Sequence, residues 1–219
     1  MIARLRGSHR YGLALVAVAI PIAFAMSVPE EDWSRLVTLL LFSGAALFVF
    51  LVAEARRAMH VAIPLVAVAI VAGLLALDDP SQLQIGLTRA CSAFVLAMAP
   101  FALARGLARQ IRADKKVTLE TVFGAVAIYL LIGALFATVD AAVENIGGDP
   151  FFVSGDAGMQ DFLYFSFITL TTTGYGDLVP ALPLARTLAV TEALLGQIYL
   201  VTVIAVLVSN IGRARPSRT

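Results

Sequence analysis

The sequence predicts an all-α membrane protein: six transmembrane helices, with a re-entrant short helix and a loop between helices five and six. Three observations lead there. Hydrophobic residues make up 60% of the 219 and charged residues only 14%, with a mean hydropathy of +0.90. A soluble domain of this size keeps a far larger charged share on its surface. The apolar residues fall into long blocks divided by short charged clusters, the pattern of a chain that crosses a bilayer repeatedly. Basic and acidic residues also segregate onto opposite sides of those blocks.

A bilayer core about 30 Å thick needs about 20 helical residues. Six blocks meet that length: Tyr11 to Val28, Arg35 to Ala53, Val61 to Leu77, Leu83 to Ala104, Leu119 to Val139, and Leu184 to Ser209. The first follows Arg4, Arg6 and Arg10 and has no small-x-small cleavage site before Pro29-Glu30-Glu31-Asp32, so it is expected to be retained as a span. Pro21, Pro64 and Pro100 lie in or near the first, third and fourth blocks, where a kink or local unwinding is expected. Between the fifth and sixth blocks, Asp161 to Leu170 is apolar and aromatic but too short to cross, and a glycine-containing segment follows it. A helix that enters the membrane and turns back fits this stretch.

Charge sets the direction. One side would hold both termini and the loops at 54–60 and 105–118. It collects Arg4, Arg6, Arg10, Arg56, Arg57, Arg105, Arg109, Arg112, Lys115, Lys116, Arg213, Arg215 and Arg218, 13 of the 16 basic residues. The other side collects Glu30, Glu31, Asp32, Asp78, Asp79, Asp140, Glu144, Asp149, Asp156, Asp161 and Asp177, 11 of the 15 acids. The Lys/Arg bias places both termini in the cytoplasm and the re-entrant loop toward the outside. The linker 105–118 divides a four-span part, 1–104, from a span, re-entrant segment, span and short tail, 119–219.

Thr172-Thr173-Gly174-Tyr175-Gly176-Asp177 carries the chemistry. A pore that strips an ion of water must offer protein oxygens at fixed spacing. Successive backbone carbonyls can do so if all point at one axis, which requires alternating conformations that side chains resist and glycine permits. Gly174 and Gly176 have the required spacing. Thr172 adds a hydroxyl at the inner end, and Tyr175 is expected to pack outward and hold the diameter. Asp177 places negative charge at the mouth.

These residues resemble the filter signature of the potassium channel superfamily. Ser166-Phe167-Ile168-Thr169-Leu170-Thr171 is similar to the end of that family's pore helix, and the sixth block, with Gly196, resembles its inner helix. The resemblance is to a prokaryotic-type six-helix channel with one pore loop, and covers roughly Leu119 to Asn210. It implies that potassium ions sit at Thr172, Thr173, Gly174 and Tyr175, with Gly176 completing the filter. Thr171, Asp177 and Glu192 would support it, and Gly196 is a candidate gating hinge. It further implies a homotetramer in a bacterial plasma membrane, with membrane lipids as surroundings, no cofactor and no nucleic acid. The family usually has Val or Ile where this chain has Thr173, whose hydroxyl needs a partner behind the filter.

Other residues yield narrower expectations. Glu192 is read as the one acid within a span, bonding Thr171 or Thr173 or facing the cavity. Gly196 is either a hinge or a site of close helix packing, and Gln197, Leu200 and Ile204 follow it as possible cavity wall. Arg89 is the only base well inside the fourth block. Arg105, Arg109 and Arg112 lie past the apolar core and are expected to meet lipid headgroups, so voltage gating should be weak or absent. Cys91 has no partner for a disulfide, and no His pair, nucleophile–base spacing or phosphate loop suggests an enzyme. A weakly selective cation channel and a non-conducting pore-like subunit are the alternatives.

Overall fold

The structure is a computed structural model that describes residues 10–75, 81–114 and 117–205. Seven α-helices follow in order: α1 (Arg10–Ser27), α2 (Asp32–Val52), α3 (Arg56–Leu75), α4 (Gln82–Asp114), α5 (Leu119–Gly147), α6 (Met159–Leu170) and α7 (Pro183–Tyr199). A π-helical turn, Leu200–Ile204, extends α7. Among the described residues six helices are long and apolar enough to cross a membrane, and α6 is the short re-entrant one. The protein is an all-α membrane protein, as its apolar blocks predict.

Two boundaries differ from expectation. Helix α4 continues past Ala104 to Asp114, so the first part of the basic linker is helical. Helix α5 runs on to Gly147, which brings Asp140 and Glu144 into the helix, where both are buried. Glu192 is therefore not the only acid within a span. Pro21, Pro64 and Pro100 all lie inside unbroken helices. The end of the sixth block, from residue 206 onward, lies outside the described residues.

Helix α5 is the central post, packing against α4, α1, α6 and α7. Its buried face is built from Gly124, Ala125, Ala127, Gly133, Ala134, Ala137 and Ala141. Lipid tails are as apolar as leucine, so helices in a membrane gain little from burying large side chains against each other. Small residues let backbones approach and maximise dispersion contacts instead. Outward-facing Leu13, Val16, Ile20, Phe94 and Phe101 present the greasy exterior that such a bundle requires.

Polar side chains fasten the two ends of the bundle. At one end Glu120 of α5 accepts the first N–H groups of α1, from Tyr11 at 2.8 Å and Gly12 at 3.2 Å. Those groups have no partner inside their own helix, and a carboxylate there also meets the positive end of the helix dipole. Arg10 and Arg109 donate to the carbonyls of Val52 and Ala53, which fastens α1 and α4 to the end of α2.

At the other end Glu30 is a three-way junction. It pairs with Arg35 of α2 at 3.2 Å and with Arg89 of α4, and it accepts the N–H of Met159, the first residue of α6. Arg89 also donates to Asn145 of α5 at 2.7 Å. One ion network thus ties α2, α4 and α5 to the start of α6. Arg89 and Glu30 are only 14% and 18% exposed, so solvent screens the pair weakly. Removing Arg89 leaves the mostly buried Glu30 with the more exposed Arg35 as its remaining cation. Arg89→Ala is expected to cost about 2–3 kcal/mol, read as a lower melting temperature of the detergent-purified protein. Arg35→Ala, at a more exposed pair, should cost well under half as much.

Candidate functional site

Helix α6 ends at Leu170, and the chain leaves helical geometry at once. The φ angle is positive at Thr172 (58°), Gly174 (52°) and Gly176 (81°), but not at Thr173 or Tyr175. This is the alternation expected of residues 172–176. Glycine adopts it freely at two of the three positions, while Thr172 holds it at a cost of about 1 kcal/mol or more.

The hydrogen bonds show what maintains it. Thr171 N–H donates to Phe167 O at 3.1 Å and Thr172 N–H to Thr169 O at 2.9 Å. Thr173 N–H and Gly174 N–H both donate to Ile168 O, at 2.8 and 3.1 Å. The last carbonyls of a helix lack intrahelical donors, and the loop supplies them. In a trans peptide the N–H and the preceding C=O point in opposite directions. Pinning the N–H groups of Thr173 and Gly174 onto α6 therefore turns the carbonyls of Thr172 and Thr173 away from it, toward the exposed side.

Thr173, the departure from the resemblance, has its partner. Its hydroxyl lies 2.9 Å from that of Thr171, which donates to Phe167 O at 2.7 Å. The extra hydroxyl is absorbed into the cap of α6.

Asp177 receives a hydrogen bond from Tyr164 of α6, Oη to Oδ2, at 2.7 Å. That bond stabilises the carboxylate, holding Asp177 below the usual carboxylate range and pushing the Tyr164 phenol up to about 12. The stabilisation is present above the ordinary aspartate range and fades as pH falls through the lowered value. Tyr164→Phe should move the titration of Asp177 upward toward its ordinary range, measured by carboxyl NMR.

An aromatic cluster holds the loop from outside. Phe151, Phe152, Phe162 and Phe165 are buried, with ring centroids 5.0 to 6.0 Å apart. Two backbone bonds, Val153 N–H to Val179 O at 2.9 Å and Ala181 N–H to Phe151 O at 2.8 Å, lash the segment before α6 to the segment after the loop. Glu144 steadies the former by accepting Phe151 N–H at 2.9 Å.

Glu192 is fully buried in α7, where its carboxyl meets the hydroxyl of Ser166 on α6. Thr171 and Thr173, its expected partners, bond each other instead. Gly196 lies where a Cβ would come within 2.3 Å of Leu170 O, so glycine is what lets α7 reach the end of α6. Tyr129 Oη donates to the same carbonyl at 3.1 Å. Gln197 is exposed, and Ile204 lies at the end of the π-helical turn. The Tyr175 ring, expected against surrounding helices, is 72% exposed on the single chain.

Sequence reading missed Asp140, Ser166, Tyr164 and Glu30. Small residues at helical spacing beyond Val139 are the signal that would have extended α5 through Asp140. Nothing in Glu30-Glu31-Asp32 distinguishes the junction residue from its neighbours.

Residues 117–213 match the ion channel family. The chain is also similar to two potassium channels. A 73-residue stretch, 33% of the chain, is 40% identical to the inward rectifier potassium channel Kirbac3.1 of Paramagnetospirillum magnetotacticum, covering 23% of that protein. A 155-residue stretch, 67% of the chain, is 32% identical to a voltage-gated potassium channel of Aeropyrum pernix, covering 50% of it. The chain thus spans half or less of the length of these relatives. No solved structure matches it.

The close approach at Gly196 has a direct consequence. Gly196→Ala must push α7 away from Leu170 O or displace the loop behind it. A loss of about 1–3 kcal/mol is expected, measured as thermal stability of the purified protein. Gly44→Ala, where a Cβ meets nothing within 4 Å, should cause no such loss.

Proposed function

We propose that the chain is one subunit of a homotetrameric, potassium-selective channel that passes potassium down its electrochemical gradient. The alternating backbone at Thr172, Gly174 and Gly176 carries this reading, with its N–H groups secured on α6. Carbonyls of Thr172, Thr173, Gly174 and Tyr175, with Gly176 completing the filter, replace the hydration shell of the ion. Asp177 draws cations to the mouth. Thr171 anchors the inner end, and potassium is the permeant ion, with no cofactor required.

A single loop cannot encircle an ion. Residues 171 to 177 are all exposed on the isolated chain, and the Tyr175 ring lacks the packing that would hold a pore's diameter. Three further copies around one axis supply both the remaining oxygens and the cover. The matched relatives are potassium channels by name, which supports the same ion here.

Voltage dependence is weak on this reading, unlike that named for the Aeropyrum pernix relative. Sensing needs several arginines free to move through the field. Arg89 is instead fixed to Glu30 and Asn145, and Arg109 to a backbone carbonyl. Gly196 serves packing, and the regular hydrogen-bond ladder of the inner helix is interrupted at the π-helical turn Leu200–Ile204. Both termini are cytoplasmic, in a bacterial plasma membrane.

Purified protein in liposomes should cross-link to four subunits and show a bi-ionic reversal potential close to the potassium value. Near-equal potassium and sodium permeability would make it a weakly selective cation pore. An intact tetramer without flux would make it a non-conducting subunit.

A further inference from the structure

Two carboxyl groups are enclosed behind α6, inside a single chain. Asp140 of α5 and Glu192 of α7 are both 0% exposed. Neither oxygen of Asp140 has a hydrogen-bond partner, nor does Oε2 of Glu192. The two side chains are close enough to feel each other's charge. The groups facing them come from the packed elements in turn. From α5, Tyr129 is also within electrostatic range of Glu192, but its hydroxyl is committed to Leu170 O. From α6 comes Ser166. Among the described residues no base pairs with either acid, since Arg89 of α4 is held by Glu30 and Asn145. Glu144, one turn from Asp140, is turned toward Phe151 N–H and Ala157 N–H.

Complete burial within one chain means that neither lipid nor another subunit can reach the three orphaned oxygens. Only a water or a proton is small enough. Ser166 narrows the choice, because its hydroxyl has one hydrogen and two acceptors in reach, Gly133 O at 2.7 Å and Glu192 Oε1. All contacts close if the Glu192 carboxyl carries a hydrogen and donates it to Ser166 Oγ, which then donates to Gly133 O. One internal water closes the rest if Asp140 also carries a hydrogen: that carboxyl donates to the water, whose two hydrogens go to the other Asp140 oxygen and to Oε2 of Glu192.

We propose that Asp140, Glu192 and Ser166 form a proton-binding site, with one internal water, that seats the back of α6 and makes conduction responsive to pH. Its conduction half rests on the channel reading above; its proton-binding half does not. Loss of the proton removes the Glu192-to-Ser166 donation and encloses like charges between α5 and α7, which loosens α6. Two interacting carboxyls release protons as a pair, so neither group alone sets the transition. Conduction is therefore high with the site filled and falls as pH rises and empties it.

Infrared titration in liposomes tests the site without any ion flow. The native protein should show a protonated-carboxyl C=O band that disappears on alkalinisation, and Asp140→Asn combined with Glu192→Gln should abolish it. Potassium flux should fall several-fold between about pH 6 and about pH 9 in the native channel. It should stay flat in Glu192→Gln, whose amide can still donate to Ser166. Absence of the band, or its persistence in the double variant, overturns the site. A titrating band with coincident native and Glu192→Gln flux profiles overturns its control of conduction. A titrating band without any flux sustains the proton site and overturns the channel reading. If Asp140→Asn fails to assemble, the native band and the Glu192→Gln profile still decide.

Discussion

A backbone that abandons the helix inside a membrane must find partners for every N–H and C=O it frees, since hydrocarbon offers none. Residues 171 to 174 meet that constraint by donating to the carbonyls that α6 leaves unpaired at its end. The helix terminus and the irregular loop each complete what the other lacks. Everything else at this end of the molecule keeps α6 in place so that the exchange survives. Glu30 holds its first N–H, Ser166 holds its middle to α5 and α7, and Tyr129 reaches its last carbonyl. The orientation of the loop carbonyls is thus inherited from the position of one twelve-residue helix.

The four N-terminal helices take part in that seating. Arg89 reaches both Glu30 and Asn145, so α4 is joined to the start of α6 and to the C-terminal end of α5 by charged contacts of low exposure. A displacement of α4 would be felt at α6 through a short, stiff connection. At the opposite end, Glu120, Arg10 and Arg109 fix α1, α2 and α4 to α5 through backbone atoms. Such bonds restrain relative sliding more than bulk packing of alanines and glycines could.

Much of this was legible in the sequence, because the membrane imposes lengths and the loop imposes glycines. The six apolar blocks gave the helices, and Gly174 and Gly176 gave the alternation later seen in the dihedrals. Helix ends were less legible. Composition marks where apolar character stops, yet α4 and α5 continue as helices into polar sequence once neighbours satisfy their side chains. Asp140 was assigned to a loop for that reason. Partners across the fold were least legible of all. Glu192 was recognisable as costly and in need of a donor, but only the crossing of α6 and α7 decides that Ser166 supplies it. Gly196 was equally ambiguous until Leu170 O was found against it.

The uncovered ring of Tyr175 bears on how such a protein matures. A subunit fresh from synthesis carries a loop tied down at Thr171 to Gly174 and again at Asp177, with the Tyr175 ring between them uncovered. On the tetrameric reading proposed above, the pore takes its final shape only as subunits meet, so maturation and oligomer formation are one event. A defective copy mixed with sound ones would spoil every complex it enters. With the four places per complex of the assembly proposed above, a minority of faulty subunits would silence most of the population.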